Sequence, residues 1–249
     1  MESAALLGAG LLAGFVDSIA GGGGLITLPA LLWAGMPPSL ALGTNKLQAS
    51  FGATVACFRY MRGGLIQRPG LILGLALSFA FAALGGYWVT RVDARRLGPF
   101  IPLVLLAVGI YTWLKPELGR ETRPPRMPMA AFAGLFGVAL GFYDGSFGPG
   151  TGSFWMTACV LCRGMDFAAA AGFTKVMNLA SNLGALAIFA WAGEVDYANG
   201  LLMAAGQLVG ASLGSGVVLR RGAAFVRPMF LTIVFALVLR LILSHWIRR

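Results

Sequence analysis

Charge is what this chain has least of. Only 11% of its 249 residues are Asp, Glu, Lys or Arg while 58% are hydrophobic, roughly half the charge of an ordinary soluble domain. That balance cannot cover a soluble globule. Three cysteines, one of them alone at Cys57, make no disulfide framework. Cys159 and Cys162 form C-x-x-C, but inside an apolar run without a soluble redox fold, which reads as buried packing rather than redox or metal chemistry. The opening Met-Glu-Ser lacks the basic region of a cleaved signal peptide, so the first apolar segment is expected to stay on the chain. No Gly-Lys-Ser/Thr follows the G-x-G fragments, which sets nucleotide binding aside.

What the chain does have is apolar runs of membrane-spanning length: Ser39 to Tyr60, Pro69 to Thr90, Leu97 to Leu114, Phe167 to Ala192, Gly200 to Leu219 and Val226 to Ile247. Two further blocks, Ala4 to Ala34 and Pro128 to Leu161, are interrupted by glycine. An all-α polytopic membrane protein is expected. The net charge of +10 comes mostly from Lys and Arg in short loops between apolar runs, the pattern of membrane orientation and not of a nucleic-acid groove.

The chain repeats itself. "GFVDSIAGGGGL" from Gly14 superposes on "GFYDGSFGPGTG" from Gly141 at an offset of 127, matching Asp17 with Asp144 and Gly21 with Gly148. The match continues at an offset of 129, pairing Gly43 with Gly172 and Lys46 with Lys175. Two repeats follow, 1–124 and 125–249, joined by the polar stretch Lys115 to Arg126, the usual construction of a secondary transporter. If both glycine-broken blocks cross the membrane, loop Lys and Arg divide nine against seven; if both are re-entrant hairpins they divide eleven against five. The second split obeys the positive-inside rule better and leaves three crossings per repeat, which inverts the second repeat relative to the first. It puts the 115–126 stretch in the cytoplasm and both termini outside.

A helix broken at membrane depth must have its break inside protein or on a wet cavity. Gly21, Gly22, Gly23 and Gly24, and Gly148, Gly150, Thr151 and Gly152 beside Pro149, therefore read as places where a ligand approaches backbone. The restarting helix then offers free N–H groups to an anion. Close helix packing through small residues is the plainer alternative. Asp17, Lys46, Asp144 and Lys175 sit deep in apolar segments, where a charge costs roughly 2.5 to 3.5 kcal/mol on insertion scales, and are functional candidates. A purely structural pairing of Asp17 with Lys46 would also account for them. Arg59 and Arg240, nearer segment ends, read as snorkelling to the interface. Thr174, Lys175, Asn178, Ser181 and Asn182 share one helix face that should turn inward. The first repeat keeps Asn45 and Lys46 but has Ala49, Gly52 and Ala53 opposite Asn178, Ser181 and Asn182, with Thr44 and Gln48 adding polarity elsewhere.

"GFVDSIAGGGGLITLPALLWAGMPPSLALGTNKL", followed at half-chain distance by "GFYDGSFGPGTGSF" and "GFTKVMNLASN", resembles the TauE/SafE family over essentially the whole chain. The resemblance implies an integral inner-membrane permease of bacteria, moving sulfite, sulfonates or related small anions coupled to protons. Carried over, its motifs fall on Gly21 to Gly24, Gly148 to Gly152, Asp17, Asp144, Thr44, Asn45, Lys46, Thr174 and Lys175. Substrate binding is expected at the glycine loops, at Thr44, Asn45 and Lys46, and at Thr174, Lys175, Asn178 and Asn182. Proton coupling is expected at Asp17 and Asp144, with alternating access around one central site. A channel is the second reading. An intramembrane aspartyl protease is a distant third, since no Gly-x-Gly-Asp accompanies the aspartates. No cofactor or metal is called for; the expected partners are a small anion, protons and the lipid bilayer, with no nucleic acid, and the oligomeric state is left open, a homodimer included.

Overall fold

The computed structural model describes residues 2–66, 70–91, 119 and 121–247. The expected span Leu97 to Leu114 lies outside them, as do the side chains of Arg240 and the C-terminal tail. The described chain is helical, with no strand among the described residues: α1 (Glu2–Ala20), α2 (Gly24–Trp33), α3 (Pro38–Arg62), α4 (Leu71–Val89), α5 (Met129–Ser146), α6 (Thr151–Arg163), α7 (Phe167–Trp191) and α8 (Tyr197–Ile247). Gly222, at φ 61° and ψ −161°, breaks α8 into two helices, which separates the two apolar runs expected there.

Helix ends are set by local chemistry. The ring of Pro38 opens α3, where a missing N–H costs nothing. Asp166 caps α7, its Oδ1 accepting from the amides of Ala168 and Ala169 at 2.8 and 2.9 Å. Gly148 and Gly150 hold φ of 85° and 84°, a left-handed backbone open mainly to glycine, so α6 starts at Thr151 and not at Pro149.

Among the described residues, five helices are long and apolar enough to cross a membrane: Ser3–Ala20, Leu71–Val89, Met129–Ser146, Phe167–Trp191 and Tyr197–Val226. The protein is an integral membrane protein. α3 is as long as α7 but more polar, and Asn45, Lys46, Gln48 and Ser50 are all buried within it. Its polar side chains turn into the bundle, while Phe51, Phe58 and Met61 on its second half are exposed. α2 has ten residues, about 15 Å of helix and half a bilayer core.

Neighbouring contacts give the directions. Leu6 near the start of α1 packs with Leu31 near the end of α2. The carbonyl of Cys162 at the end of α6 accepts from Met127, just before α5. Each glycine-broken block is therefore a hairpin that returns to the end where it entered. α1 runs parallel to α8, Gly10 against Met203 and Gly14 against Gln207, while α5 runs parallel to α4, Gly137 against Gly74 and Gly141 against Ser78. α3 and α7 are antiparallel: Gly43 touches Glu194 beyond the end of α7, and Gly172 touches Leu65 beyond the end of α3. The starts of α2 and α6 stand 127 residues apart, and both ends of α3 and α7 stand 129 apart, the two offsets of the sequence match.

The two ends of the bundle differ in charge. Among the described residues, Arg59, Arg62, Arg123, Arg126, Arg163, Arg220 and Arg221 gather at the end holding Leu65, Gly119 and Met127; the other end, with Ala34, carries Arg91, Glu194 and Asp196. By the positive-inside rule the arginine-rich end faces the cytoplasm. Arg59 does more than snorkel, since its Nη1 donates to Ser212 of α8 at 3.0 Å. Exposed Thr122 and Ala192 lie at opposite ends. In a cysteine-free background, Thr122→Cys should be labelled by an impermeant maleimide only from the cytoplasmic face and Ala192→Cys only from the outer face. Labelling of both from one face would overturn the hairpin topology.

Candidate functional site

Four polar segments meet at the centre of the bundle: the break after α1, the break after α5, and the middles of α3 and α7. They enclose a cavity of about 30 Å³ lined by Asp17, Gly21, Gly23, Gly24, Asn45, Lys46, Ala49, Asp144, Gly148, Gly150, Thr151, Gly152, Asn178, Asn182 and Gln207. That is room for about two waters.

The charges are paired across the halves. Lys46 Nζ donates to Asp144 Oδ1 at 2.7 Å, and Lys175 Nζ donates to Asp17 Oδ2 at 2.7 Å. A pairing of Asp17 with Lys46 inside one half is not what forms. Both lysine side chains are 1% exposed, against 6% for Asp144 and 18% for Asp17. Bare charges so far from water would be costly; each is tolerable because its counter-charge is in contact. The site thus holds two cations and two anions with no net charge.

The two carboxylates are not equally held. Asp144 also accepts from Thr151 Oγ1 at 3.0 Å and from the Ser181 hydroxyl. Asp17 accepts, besides its lysine, only the Gly23 amide among the described residues, at 3.2 Å. The positions corresponding to Thr151 and Ser181 are Gly24 and Gly52, which have no hydroxyl to give.

The glycines have separate jobs. Gly21 and Gly152 touch backbone to backbone, so that a Cβ on either would lie 2.4 Å from the other's Cα. Ser153 joins the same contact, its amide donating to the Gly21 carbonyl at 3.0 Å and its hydroxyl to Ala20 at 2.9 Å. Here the close-packing reading of the glycines holds. A Cβ on Gly23 would press on Asp17. Gly24 differs: a Cβ there would meet nothing nearer than 3.6 Å, so its lack of a side chain leaves space in the cavity and serves no packing contact.

Of the residues expected from sequence, Asp17, Gly21, Gly23, Gly24, Asn45, Lys46, Asp144, Gly148, Gly150, Thr151, Gly152, Asn178 and Asn182 come together on the cavity. Lys175 reaches it through Asp17. Gly22 and Thr174 lie outside the lining, and Thr44 serves the outer end of the bundle, its Oγ1 accepting the Asp196 amide at 2.9 Å. Sequence reasoning missed Ala49 and, more consequentially, Gln207, a lone amide in the apolar run of α8 whose polarity was its only signal. Cys159 is buried, Cys162 partly so, and both are free thiols. No cluster of metal-ligating side chains occurs among the described residues.

Membrane-crossing helices around a buried polar cavity of broken-helix ends define a polytopic membrane transporter. The family model "Sulfite exporter TauE/SafE" matches residues 6–241, and the chain belongs to that family. A "Probable membrane transporter protein" of Haemophilus influenzae is 41% identical, covering 94% of this chain and 91% of the relative. The "Probable membrane transporter protein YfcA" of Escherichia coli is 40% identical, covering 95% and 91%. The more distant "Probable membrane transporter protein YdhB" of Bacillus subtilis is 26% identical over 83% of this chain and 84% of its own length. No solved structure matches the chain.

The crossed pairing has a measurable signature. Asp144→Asn leaves Lys46 buried without its counter-charge and should cost about 3 to 5 kcal/mol in the purified protein. Lys46→Met with Asp144→Asn should cost less than the sum of the single changes, while Lys46→Met with Asp17→Asn should be additive. Thermal unfolding in detergent reads both cycles; coupling of Lys46 to Asp17 in place of Asp144 would refute the geometry.

Proposed function

We propose that this transporter carries small oxoanions such as sulfite or simple sulfonates, coupled to protons, by alternating access around the central cavity. The observation that carries the reading is the pair of crossed Asp–Lys contacts at the cavity, Lys46 with Asp144 and Lys175 with Asp17, both at 2.7 Å. In each, the lysine's anion-binding capacity is occupied by a carboxylate. Protonating that carboxylate removes the counter-charge and leaves a buried ammonium in need of an anion, which the substrate supplies. Proton and anion then favour one another's binding, and by linkage the effect is equal in both directions.

Asp17 is the better proton carrier. It is the more accessible carboxylate and lacks the two hydroxyl donors that fix Asp144. Asp144 with Lys46 acts as the fixed half of the site. The starts of α2 and α6 aim the positive ends of their dipoles at the same space. The small volume suits an anion of few atoms; a bulky aryl sulfonate would need the lining to move.

The repeated bounds and contacts support two repeats, 1–124 and 125–249, the second inverted. Gly10 with Met203 and Gly14 with Gln207 correspond to Gly137 with Gly74 and Gly141 with Ser78 at the same offsets. In such a fold, access alternates as one set of helices rocks against the other, with the backbone contact of Gly21 and Gly152 near the pivot. That closed contact favours a carrier over an open channel.

Proteoliposome uptake of sulfite, methanesulfonate and acetate under an imposed pH gradient tests the proposal. Gradient-driven accumulation of at least one anion is expected, and its absence for all three would sink the reading. Asp17→Asn should abolish accumulation against a gradient while leaving anion exchange, with the protein still folded. Gly24→Ala should fold normally, since its methyl meets only ordinary contacts, yet lower uptake at least tenfold by filling the cavity; unaltered uptake would move the substrate elsewhere.

A further inference from the structure

Gln207 enters the cavity from α8, a helix that contributes no other lining residue. It reaches the centre through a slot between α1 and α3 that two glycines keep open. Cβ atoms at Gly14 and at Gly52 would each lie 2.5 Å from Gln207 Oε1. The residue is 1% exposed and its Oε1 is buried without a hydrogen-bond partner. The residue lines the cavity, and its Nε2 donates to no protein atom among the described residues. The amide is therefore turned with its acceptor end packed among glycines and its donor end facing the space.

Two other carboxamides are turned the same way. Asn178 Oδ1 is buried without a partner, while Asn45 Oδ1 is occupied by Gln48 Nε2 at 2.9 Å and by the Thr27 hydroxyl. Both side chains line the cavity, so three helices present N–H₂ groups to one small volume. Neutral donors of this kind suit an oxoanion, whose oxygens accept several hydrogen bonds at once. Gln207 has no equivalent in the other half. At the repeat offset Gln207 corresponds to Ser78, a short side chain that donates to Met177 Sδ at 3.7 Å and is absent from the cavity lining.

We propose that Gln207 is a substrate-contacting specificity residue, its carboxamide N–H₂ completing with Asn45 and Asn178 a three-sided donor set for a small oxoanion. The proposal rests on the transport reading above and adds to it the group that reads the anion's oxygens, as distinct from the lysines that answer its charge. A site that hydrogen-bonds a particular group discriminates strongly against ligands lacking it.

Gly52 provides the test, because the three atoms nearest to a Cβ there all belong to the Gln207 side chain. Gly52→Ala should push the amide aside without disturbing any backbone, whereas Gly14→Ala would also strike the Gln207 carbonyl and the Ala211 amide. Uptake KM for sulfite, methanesulfonate and acetate is measured in proteoliposomes with the parent, Gln207→Met, Gly52→Ala and the double variant, at matched folded protein by size exclusion. Gln207→Met should raise KM at least tenfold for the preferred anion and change the ranking of the three, with maximal rate less affected. Gly52→Ala should reproduce both effects and add less than twofold in the Gln207→Met background. An unchanged ranking in Gln207→Met, or a full independent effect of Gly52→Ala in the double variant, overturns the assignment while leaving anion transport standing. If the parent moves none of the three anions, the transport reading falls and the assignment with it.

Discussion

Everything at the centre of this protein depends on two lysines that cannot be left alone. Lys46 and Lys175 are almost wholly buried, and a bare ammonium there would cost several kcal/mol. The remedy is an aspartate from the opposite half of the chain for each. Because the pairs cross, neither half can complete its own charge balance, so the two hairpins and the two interior helices α3 and α7 are tied into one site. The same contacts that hold the halves together are the ones a transported anion would compete for. In the proposed mechanism, structural and transport roles are carried by one set of atoms, and a proton decides which role prevails.

The halves share their frame and differ in its furnishing. Breaks, helix starts and Asp–Lys positions recur at fixed offsets, whereas the hydroxyls, amides and slots do not. Thr151 and Ser181 brace Asp144, while Gly24 and Gly52 leave Asp17 with fewer donors. The glycine at position 52 that withholds a hydroxyl from Asp17 also opens the way for Gln207. One absent side chain thus leaves Asp17 with fewer donors and admits Gln207 to the cavity. A site fully symmetric in this respect would hold both carboxylates equally.

Much of this was legible in sequence. The apolar runs and glycine breaks gave the spans and hairpins, since lipid tolerates broken helices only inside protein, and intramembrane charge singled out Asp17, Lys46, Asp144 and Lys175. The partners were not legible: each lysine follows the aspartate of its own half by about thirty residues, and sequence proximity suggested pairing within a half, whereas the packed helices bring the other aspartate into contact. Thr44 carried a motif resemblance yet serves a loop, because its place one residue before Asn45 rotates it off the cavity face. Gln207 escaped because its approach depends on glycines in two other helices, a tertiary fact without a local pattern. The glycines themselves were ambiguous for a physical reason, since Gly21 and Gly24 look alike in a row of four and only packing separates backbone contact from open space.

Proton uptake on anion binding tests the central claim most directly. Calorimetric titration of the purified transporter with a permanently ionised anion, the best transported sulfonate, in buffers of differing ionisation enthalpy gives the number of protons taken up per anion bound. Competition between substrate and carboxylate for the lysines predicts close to one proton at a pH where the free site is unprotonated, and close to none in the Asp17→Asn protein. Binding with no proton uptake in the parent would show that the anion leaves the Asp–Lys pairs intact, and would contradict the account.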